Sequence, residues 1–250
     1  MNKISIHAAP RSGSSWLGEI LNSSPAAHYK YQPMFAYRFR GFLNEGSTRE
    51  EIDEFFERIH QTPDDFCDQV AARNAGRLPT FAKGVCTHVI YKEVRFHQVL
   101  WNVVRRARDV RFVFLIRNPF ASLASWKSAP REFRADLGWR FEEEWRYALR
   151  KNLNRPEEFN GYERWKDATT IFDTLAARYS DRVMLISYQQ LVRQTADVVA
   201  RLFEFCGLPL TEQTRDDVGR LPHELLVGDE HDAVGIARGE RVEDRGGVLP

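Results

Sequence analysis

Cysteine is scarce in this sequence, which has three in 250 residues, at positions 67, 86 and 206. An odd number of widely spaced cysteines does not suit the paired framework of a disulfide-stabilised domain. The spacing also matches none of the short Cys/His patterns that hold structural zinc. The sequence therefore indicates a core of ordinary apolar side chains, and it offers no metal-ligand cluster.

Charge of one sign is not in excess either, since 36 Lys and Arg residues face 35 Asp and Glu residues. This balance is untypical of proteins that bind nucleic acid or an acidic membrane surface. The chain has no apolar run of about 18 residues, and it does not begin with a charged-then-apolar leader. We therefore expect no nucleic-acid or membrane partner and a soluble, cytoplasmic protein.

The turn near the amino terminus suits an anion. Ile4 and Ile6 predict a short buried strand, Gly13 interrupts it, and apolar residues recur at helical spacing from Trp16 onward. The first amides of a helix lack intrahelical partners, and the helix dipole adds partial positive charge there. The alternative is an ordinary strand-to-helix turn whose serines cap the helix.

This turn lacks the second glycine and the lysine of the nucleoside-triphosphate loop. It has Gly13 alone, and its basic residue, Arg11, comes before the glycine. The missing lysine is the group that reaches the β and γ phosphates, so a kinase or an ATPase is disfavoured. Arg11 adds a forked cation, and Ser12, Ser14 and Ser15 add hydroxyls, which together suit a terminal phosphate or sulfate group.

Strand-like and helix-like segments alternate along the chain. Strands are predicted over 4–8, 27–31, 81–94, 110–116 and 183–186, and helices from 16 and over 48–60, 63–74, 96–106, 120–126, 139–152, 162–179 and 196–206. This alternation predicts an α/β fold with a central, mainly parallel sheet flanked by helices. We expect a single domain over residues 1–227, with a helical insert at about 47–78, and an irregular or mobile tail over 228–250.

A second candidate anion site follows the predicted strand 110–116. Arg117 comes at the end of this strand, and Ser125 lies eight residues later in the helix that follows. Open α/β sheets bind ligands at the carboxyl ends of their strands, so both side chains can converge on an anion there. The alternative is an arginine paired with a carboxylate and a serine that is merely helical.

The two segments together resemble the sulfotransferase family that uses 3′-phosphoadenosine 5′-phosphosulfate (PAPS). Residues 10–16, Pro-Arg-Ser-Gly-Ser-Ser-Trp, are similar to that family's loop for the 5′-phosphosulfate. Residues 117–125 are similar to its 3′-phosphate segment, in which the arginine and the serine eight positions later hold the phosphate. Residues 186–191 are similar to a later stretch near the adenine, which implies a contact from Tyr188.

The resemblance spans about residues 3–210 and is strongest, in the first loop, to the carbohydrate sulfotransferase branch. It implies a P-loop-like three-layer fold and in-line transfer of a sulfuryl group to a hydroxyl or amine of a carbohydrate or small molecule, without a metal. It also implies that the segment from Arg11 to Trp16 holds the 5′-phosphosulfate, while Arg117 and Ser125 hold the 3′-phosphate.

The general base is where the sequence departs from the family. Many carbohydrate-type members have a glutamate just after the second strand, where this chain has Gln32, and an amide does not accept a proton. We predict Glu93 as the base, with His88 as second choice and Lys92 near the sulfuryl oxygens. An ion pair at a strand edge is the alternative for Glu93, and a structural histidine is the alternative for His88.

The carboxyl-terminal part also departs from the cytosolic members, which close over the 3′-phosphate with an Arg-Lys-Gly segment. Arg238 and Gly239 are a partial match, and we predict Arg238 as a further nucleotide contact. Two other functions compete with sulfuryl transfer. One is a P-loop small-molecule kinase, and the other is a catalytically inactive nucleotide-binding module, which the replacement at Gln32 keeps open.

Overall fold

The structure is a computed structural model that describes residues 1–221, and one parallel sheet organises them. Its strands are β1 (Asn2–Ala8), β2 (Ala27–Tyr31), β3 (His88–Glu93), β4 (Val110–Ile116) and β5 (Val183–Ser187). They lie in the order β2-β3-β1-β4-β5, with every neighbouring pair parallel. The first strand in sequence is therefore the middle of the sheet, and all five carboxyl ends meet at one edge.

Helices connect the strands and cover the sheet. They are α1 (Ser14–Asn22), α2 (Arg49–Gln61), α3 (Val70–Asn74), α4 (Leu100–Arg106), α5 (Pro119–Lys127), α6 (Phe141–Glu144), α7 (Leu149–Asn152), α8 (Tyr162–Arg178), α9 (Tyr188–Arg193), α10 (Thr195–Cys206) and α11 (Glu212–Gly219). Within residues 1–221, no helix combines the length and the apolar character needed to cross a membrane.

Alternation along the strands divides the apolar core into two layers. In β4, Val113 and Leu115 pack in the layer that contains α1 and α10, whereas Phe112 and Phe114 pack in the layer that contains α2, α4 and α8. Strands buried on both faces are continuously apolar, which is why the run 110–116 predicted its strand with the correct bounds. The three-layer α/β fold confirms the predicted fold class.

The insert contains one helix that forms as predicted and one that is much shorter. Thr48 caps α2 in a capping box with Glu51, and the apolar side of α2 packs on the sheet. The predicted helix over 63–74 is wrong for its first half, because only α3, in the second half, is helical. The Asp64 carboxylate accepts the amides of Phe66 and Cys67 at 3.1 and 2.9 Å, which holds this part as a turn.

Three further predicted elements are shorter or less regular than expected. Of the strand expected over 81–94, only β3 forms, and the helix expected over 96–106 begins as a 3₁₀ turn before α4. The long helix expected over 139–152 is two short helices, α6 and α7. Ala148 has a positive φ of 48° between them, and the buried Glu144 carboxylate accepts the Arg150 amide at 3.0 Å, so side-chain bonding replaces helix continuation.

Candidate active site

The candidate site lies at the edge where the carboxyl ends of the strands meet. β1 leads into the loop before α1, and its neighbour β4 leads through residue 117 into α5. On the other side of β1, β3 ends at Glu93, which pairs in register with His7. The two predicted anion segments and the predicted base therefore lie at the carboxyl ends of three adjacent strands.

The loop after β1 is shaped to expose backbone amides. Arg11 and Gly13 have positive φ angles of 64° and 85°, and α1 begins directly afterwards at Ser14. A glycine accepts this left-handed conformation without strain, and it leaves the first amides of α1 without a capping side chain. The Ser12 hydroxyl is buried and has no hydrogen-bond partner among residues 1–221. An orphaned hydroxyl beside a positive helix end fits an anion.

The second segment meets the first directly. Arg11 Nε donates to Ser125 Oγ at 3.2 Å, and Arg117 Nη1 donates to the Arg11 carbonyl oxygen at 3.0 Å. Asn118 caps α5 by accepting the amides of Phe120 and Ala121 at 3.0 and 3.3 Å, which fixes the start of the helix that carries Ser125. Residues more than 100 positions apart thus form one cationic, hydroxyl-bearing surface.

Arg117 lies between an aromatic ring and the loop. Its guanidinium is 4.4 Å from the centre of the Tyr188 ring, and the Trp165 indole donates to its carbonyl oxygen at 3.1 Å. Burial lowers the pKa of Arg117, because the cation has lost part of its hydration. Its Nε atom is buried and has no hydrogen-bond partner in the part of the chain that the structure describes. A bound anion would satisfy that donor.

Ser14, Ser15 and Trp16, the remaining predicted residues of the first loop, differ in which of their groups lie near the candidate site. Ser14 and Ser15 are the first two residues of α1, so their amides belong to the exposed end of that helix. Trp16 is 6% exposed, and its indole packs in the core layer of α1 and α10. The structure therefore leaves only the backbone of Trp16 near the loop.

Glu93 is a fully buried carboxyl group at the end of β3. Its Oε1 accepts the Met34 amide at 2.7 Å, and its Oε2 has no partner among the described residues. Burial raises the pKa of Glu93 to about 8, although the Met34 amide and the Arg95 charge act in the opposite direction. A carboxyl group with this pKa is ionised in part near neutral pH, which suits proton exchange.

Lys92 and Glu93 point to opposite faces of the sheet. Lys92 is fully buried, and its ammonium lies 4.2 Å from the ring centre of Tyr31, a member of the core layer of α1 and α10. Glu93 instead bonds to Met34, which belongs to the other layer. Lys92 is therefore on the same face as the anion loop, and Glu93 is on the face of α2 and α4.

Gln32 follows β2 in a strained conformation, with a positive φ of 42°. Arg95 Nη1 donates to its Oε1 at 2.7 Å, and within residues 1–221 its Nε2 has no partner. Arg95 Nε also donates to both Glu158 oxygens, at 3.1 and 3.2 Å. This buried Arg95–Glu158 pair was missed by the sequence analysis, because 63 residues separate the partners and no local pattern links them.

His88, a predicted site residue, is not brought to this edge. His88 is the first residue of β3 and pairs in register with Asn2 and Ala27, at the amino ends of the strands. Five residues of extended chain, about 16 Å, separate it from Glu93. Arg238 lies outside the described residues.

Comparisons with known proteins agree with this geometry. The model of a family described as the sulfotransferase family matches residues 3–212. Mouse (Mus musculus) carbohydrate sulfotransferase 5 is 27% identical over 183 residues, which are 69% of this chain and 44% of that protein. The chain thus spans less than half the length of this curated relative.

Solved structures share the fold at low sequence identity. The sulfotransferase domain of the curacin biosynthetic pathway has a TM-score of 0.52 at 15% identity, over 86% of this chain and 76% of that one. The sulfotransferase domain of the Synechococcus PCC 7002 olefin synthase has a TM-score of 0.52 at 16% identity, over 86% and 77%. Retinol dehydratase in complex with retinol and PAP has a TM-score of 0.51 at 14% identity, over 89% and 65%.

The family match covers both strand-loop-helix segments and the five strands between residues 3 and 212. The matched span contains the residues of the Arg11–Ser125 contact and of the Arg117–Tyr188 pair. This chain belongs to the sulfotransferase family.

Proposed function

We propose that this chain transfers a sulfuryl group from PAPS to a hydroxyl or amine of a carbohydrate or small molecule. The main support is that Arg11, Ser125 and Arg117 meet at the carboxyl edge of the sheet. Arg11 Nε lies 3.2 Å from Ser125 Oγ, and Arg117 Nη1 lies 3.0 Å from the Arg11 carbonyl oxygen. A nucleotide with phosphate groups on both its 5′ and 3′ sides has two anionic ends, and the chain offers two adjoining sets of donors.

The two sets of hydrogen-bond donors suggest which end of the nucleotide each segment binds. The amides at the start of α1, with Ser12, Ser14 and Ser15, form the set for the 5′-phosphosulfate. Arg117 and Ser125 form the set for the 3′-phosphate, and the orphaned Nε of Arg117 supports this role. Tyr188 already stacks on Arg117, so its ring belongs to the same side of the site, where we place the adenine.

PAPS supplies the sulfuryl group when it is bound. Arg11, which is 7% exposed, and the amides of the loop stabilise the negative charge that develops on the departing side. Lys92 lies on the same face as this loop and adds a cation. Glu93 accepts the proton of the attacking hydroxyl or amine, and its raised pKa of about 8 makes it a stronger base than an exposed glutamate.

The acceptor is proposed from the site and from the relatives together. The Gln32 amide nitrogen is a buried donor without a partner among residues 1–221, next to the Arg95–Glu158 pair, and we assign it to an acceptor oxygen. The mouse relative is named a carbohydrate sulfotransferase, and retinol dehydratase is in complex with the small molecule retinol. Both kinds of acceptor therefore belong in the first screen.

Two measurements test the proposal. A thermal shift assay compares 3′-phosphoadenosine 5′-phosphate (PAP) with ATP and Mg²⁺, and we expect stabilisation by PAP. Stabilisation by ATP and Mg²⁺ alone would instead support a kinase. A mass-spectrometric screen with PAPS and panels of carbohydrate and small-molecule acceptors should give products heavier by one sulfuryl group. Binding of PAP without any sulfated product across the panels would support an inactive nucleotide-binding module.

A further inference from the structure

Three potential metal ligands meet at the edge of the sheet opposite the candidate active site. His28 is the second residue of β2, His60 is in the last turn of α2, and Cys86 lies just before β3. One ring nitrogen of each histidine and the Cys86 sulfur all lie within 4.8 Å of one another, and all three residues are partly buried. His28 is four residues before Gln32, so about 13 Å of extended strand separates this cluster from the candidate active site.

The two imidazoles are already close to the separation that a shared metal requires. Their Nδ1 atoms are 2.8 Å apart, and their ring centres are 5.0 Å apart at an angle of 74°. Two nitrogens bound to one tetrahedral zinc at about 2.0–2.1 Å lie roughly 3.3 Å apart. For the two imidazole nitrogens, a change of about half an ångström, within reach of small ring rotations, would therefore suit a shared ion.

The two ammonium groups near the cluster bond elsewhere. Lys30 pairs with Asp68 at 2.7 Å, and Lys83 donates to the Asn22 side chain at 2.9 Å.

Cys86 is the thiol of this chain that solvent can reach. Cys67 and Cys206 are 1% and 0% exposed, whereas Cys86 is of intermediate exposure and lines a surface pocket together with His28. Its sulfur is 3.3 Å from the carbonyl oxygen of His88, a weak contact that loss of the thiol proton would release. The pocket gives an ion a path to His28 and Cys86.

We propose that His28, His60 and Cys86 form a zinc-type metal site that ties α2 and the segment before β3 to the edge strand β2. Two imidazoles and one thiolate are the donors that Zn²⁺ prefers, and three protein ligands leave a fourth position for water. The ligands are 32 and 26 residues apart in sequence. The metal closes both loops, and its role is to stabilise the fold at a place remote from the sulfuryl-transfer site.

Cobalt is the probe for this site, because a thiolate bound to Co²⁺ gives a charge-transfer band in the near ultraviolet. Tag-free, chelator-treated protein is titrated with Co²⁺, and we expect this band to saturate at about one equivalent and to disappear on addition of Zn²⁺. Cys86→Ser removes the band, and His60→Ala weakens Zn²⁺ affinity at least tenfold in competition with a chelating dye. The matched control Cys67→Ala, which removes a thiol outside the cluster, keeps the band.

A second readout does not depend on spectroscopy. Zn²⁺ should raise the melting temperature of the wild-type chain and of Cys67→Ala, and it should leave the melting temperature of Cys86→Ser unchanged. Circular dichroism establishes that each variant is folded, and PAP binding should be equal in Cys86→Ser and the wild type. Absence of saturable binding by the wild type, or a cobalt band that survives Cys86→Ser, would overturn the proposal.

Discussion

At the scale of single residues, Arg117 and Arg182 have similar contacts and differ in their place in the fold. Its guanidinium lies 4.4 Å from the Tyr188 ring centre and donates to a backbone carbonyl at 3.0 Å. Arg182 has the same kinds of contact, 4.9 Å from the Tyr179 ring centre and 3.0 Å from the Ala107 carbonyl oxygen. Arg182 precedes β5, however, so it lies at the opposite edge of the sheet.

This pair provides a controlled test of nucleotide binding. Arg117→Lys removes the planar fork and its stacking but keeps the charge, and we expect PAP affinity to fall about 10- to 100-fold. Arg182→Lys makes the same chemical change at the opposite edge and should leave PAP affinity unchanged. Isothermal titration calorimetry measures both, and an equal loss in the two variants would show that Arg117 acts only on the fold.

Glu93 is a second residue-scale case, because its pKa determines when it is able to accept a proton. Only the ionised carboxylate is a base, and burial raises its pKa to about 8. Below that pH the ionised fraction rises about tenfold with each pH unit, and above it the fraction levels off. We therefore expect kcat/KM to increase with pH through neutrality and to reach a plateau above about pH 8.

Glu93→Gln is the corresponding variant. It keeps an oxygen that accepts the Met34 amide, as Oε1 does at 2.7 Å, but it does not accept a proton. We expect kcat to fall about 100-fold or more, with PAP affinity unchanged, because a positioned base contributes this order of magnitude. Turnover equal to that of the wild type would contradict the role assigned to Glu93, and the pH profile would then belong to another group.

At the scale of elements, α1 is fixed by its contact with β2. An ideal Cβ placed on Gly18 would overlap the Tyr29 phenol, whose Cζ atom would be 2.5 Å away. The α1 backbone at Gly18 and the buried Tyr29 side chain therefore pack too closely for a methyl group to fit between them. Because α1 begins at the anion loop, this close approach also positions the amides of the candidate site.

Gly18→Ala should destabilise the chain by about 1–3 kcal/mol, since either the phenol or the helix must move. Gly219→Ala is the control, because a Cβ at Gly219 meets no atom of residues 1–221 within 4 Å and alanine favours a helix. It should be neutral or slightly stabilising. Thermal or urea denaturation measures both variants, and equal stability of the two would refute the tight packing of α1 on β2.

The elements also show where sequence patterns succeed. The strands over 27–31 and 110–116 were predicted with the observed bounds. Residues 110–116 are an apolar run of the kind buried on both faces, whereas in 27–31 apolar residues alternate with His28 and Lys30. Predictions over 63–74 and 139–152 were too regular. There, side chains such as Asp64 and Glu144 accept backbone amides and end the helices, and hydropathy does not show such bonds in advance.

At the scale of the whole molecule, the two proposed sites lie at opposite ends of the strands of the parallel sheet. The carboxyl ends bring together Arg11, Arg117 and Ser125, which the sequence could anticipate because each follows a predicted strand. The Arg95–Glu158 pair and the cluster of His28, His60 and Cys86 could not be anticipated in this way. Their members come from unrelated segments, and only the completed fold places them in contact.

Ligand binding should be visible as stability of the whole molecule. A ligand at about 100 times its Kd stabilises the native state by about 2.7 kcal/mol. For a chain of this size that corresponds to a rise in melting temperature of roughly 5–10 °C. We expect this rise with PAP in differential scanning fluorimetry, and AMP, which lacks the 3′-phosphate, should need a higher concentration to produce it.

We propose that two segments more than 100 residues apart hold the two anionic ends of one nucleotide, and substitution of Ser125 tests this proposal. Calorimetry compares PAP with adenosine 5′-phosphosulfate, which lacks the 3′-phosphate, for the wild type and for Ser125→Ala. Ser128→Ala, at the far end of α5, is the control. We predict that Ser125→Ala weakens PAP binding about 10- to 100-fold and leaves binding of adenosine 5′-phosphosulfate unchanged. An equal loss for both ligands, or no loss for PAP, would show that Ser125 does not hold the 3′-phosphate.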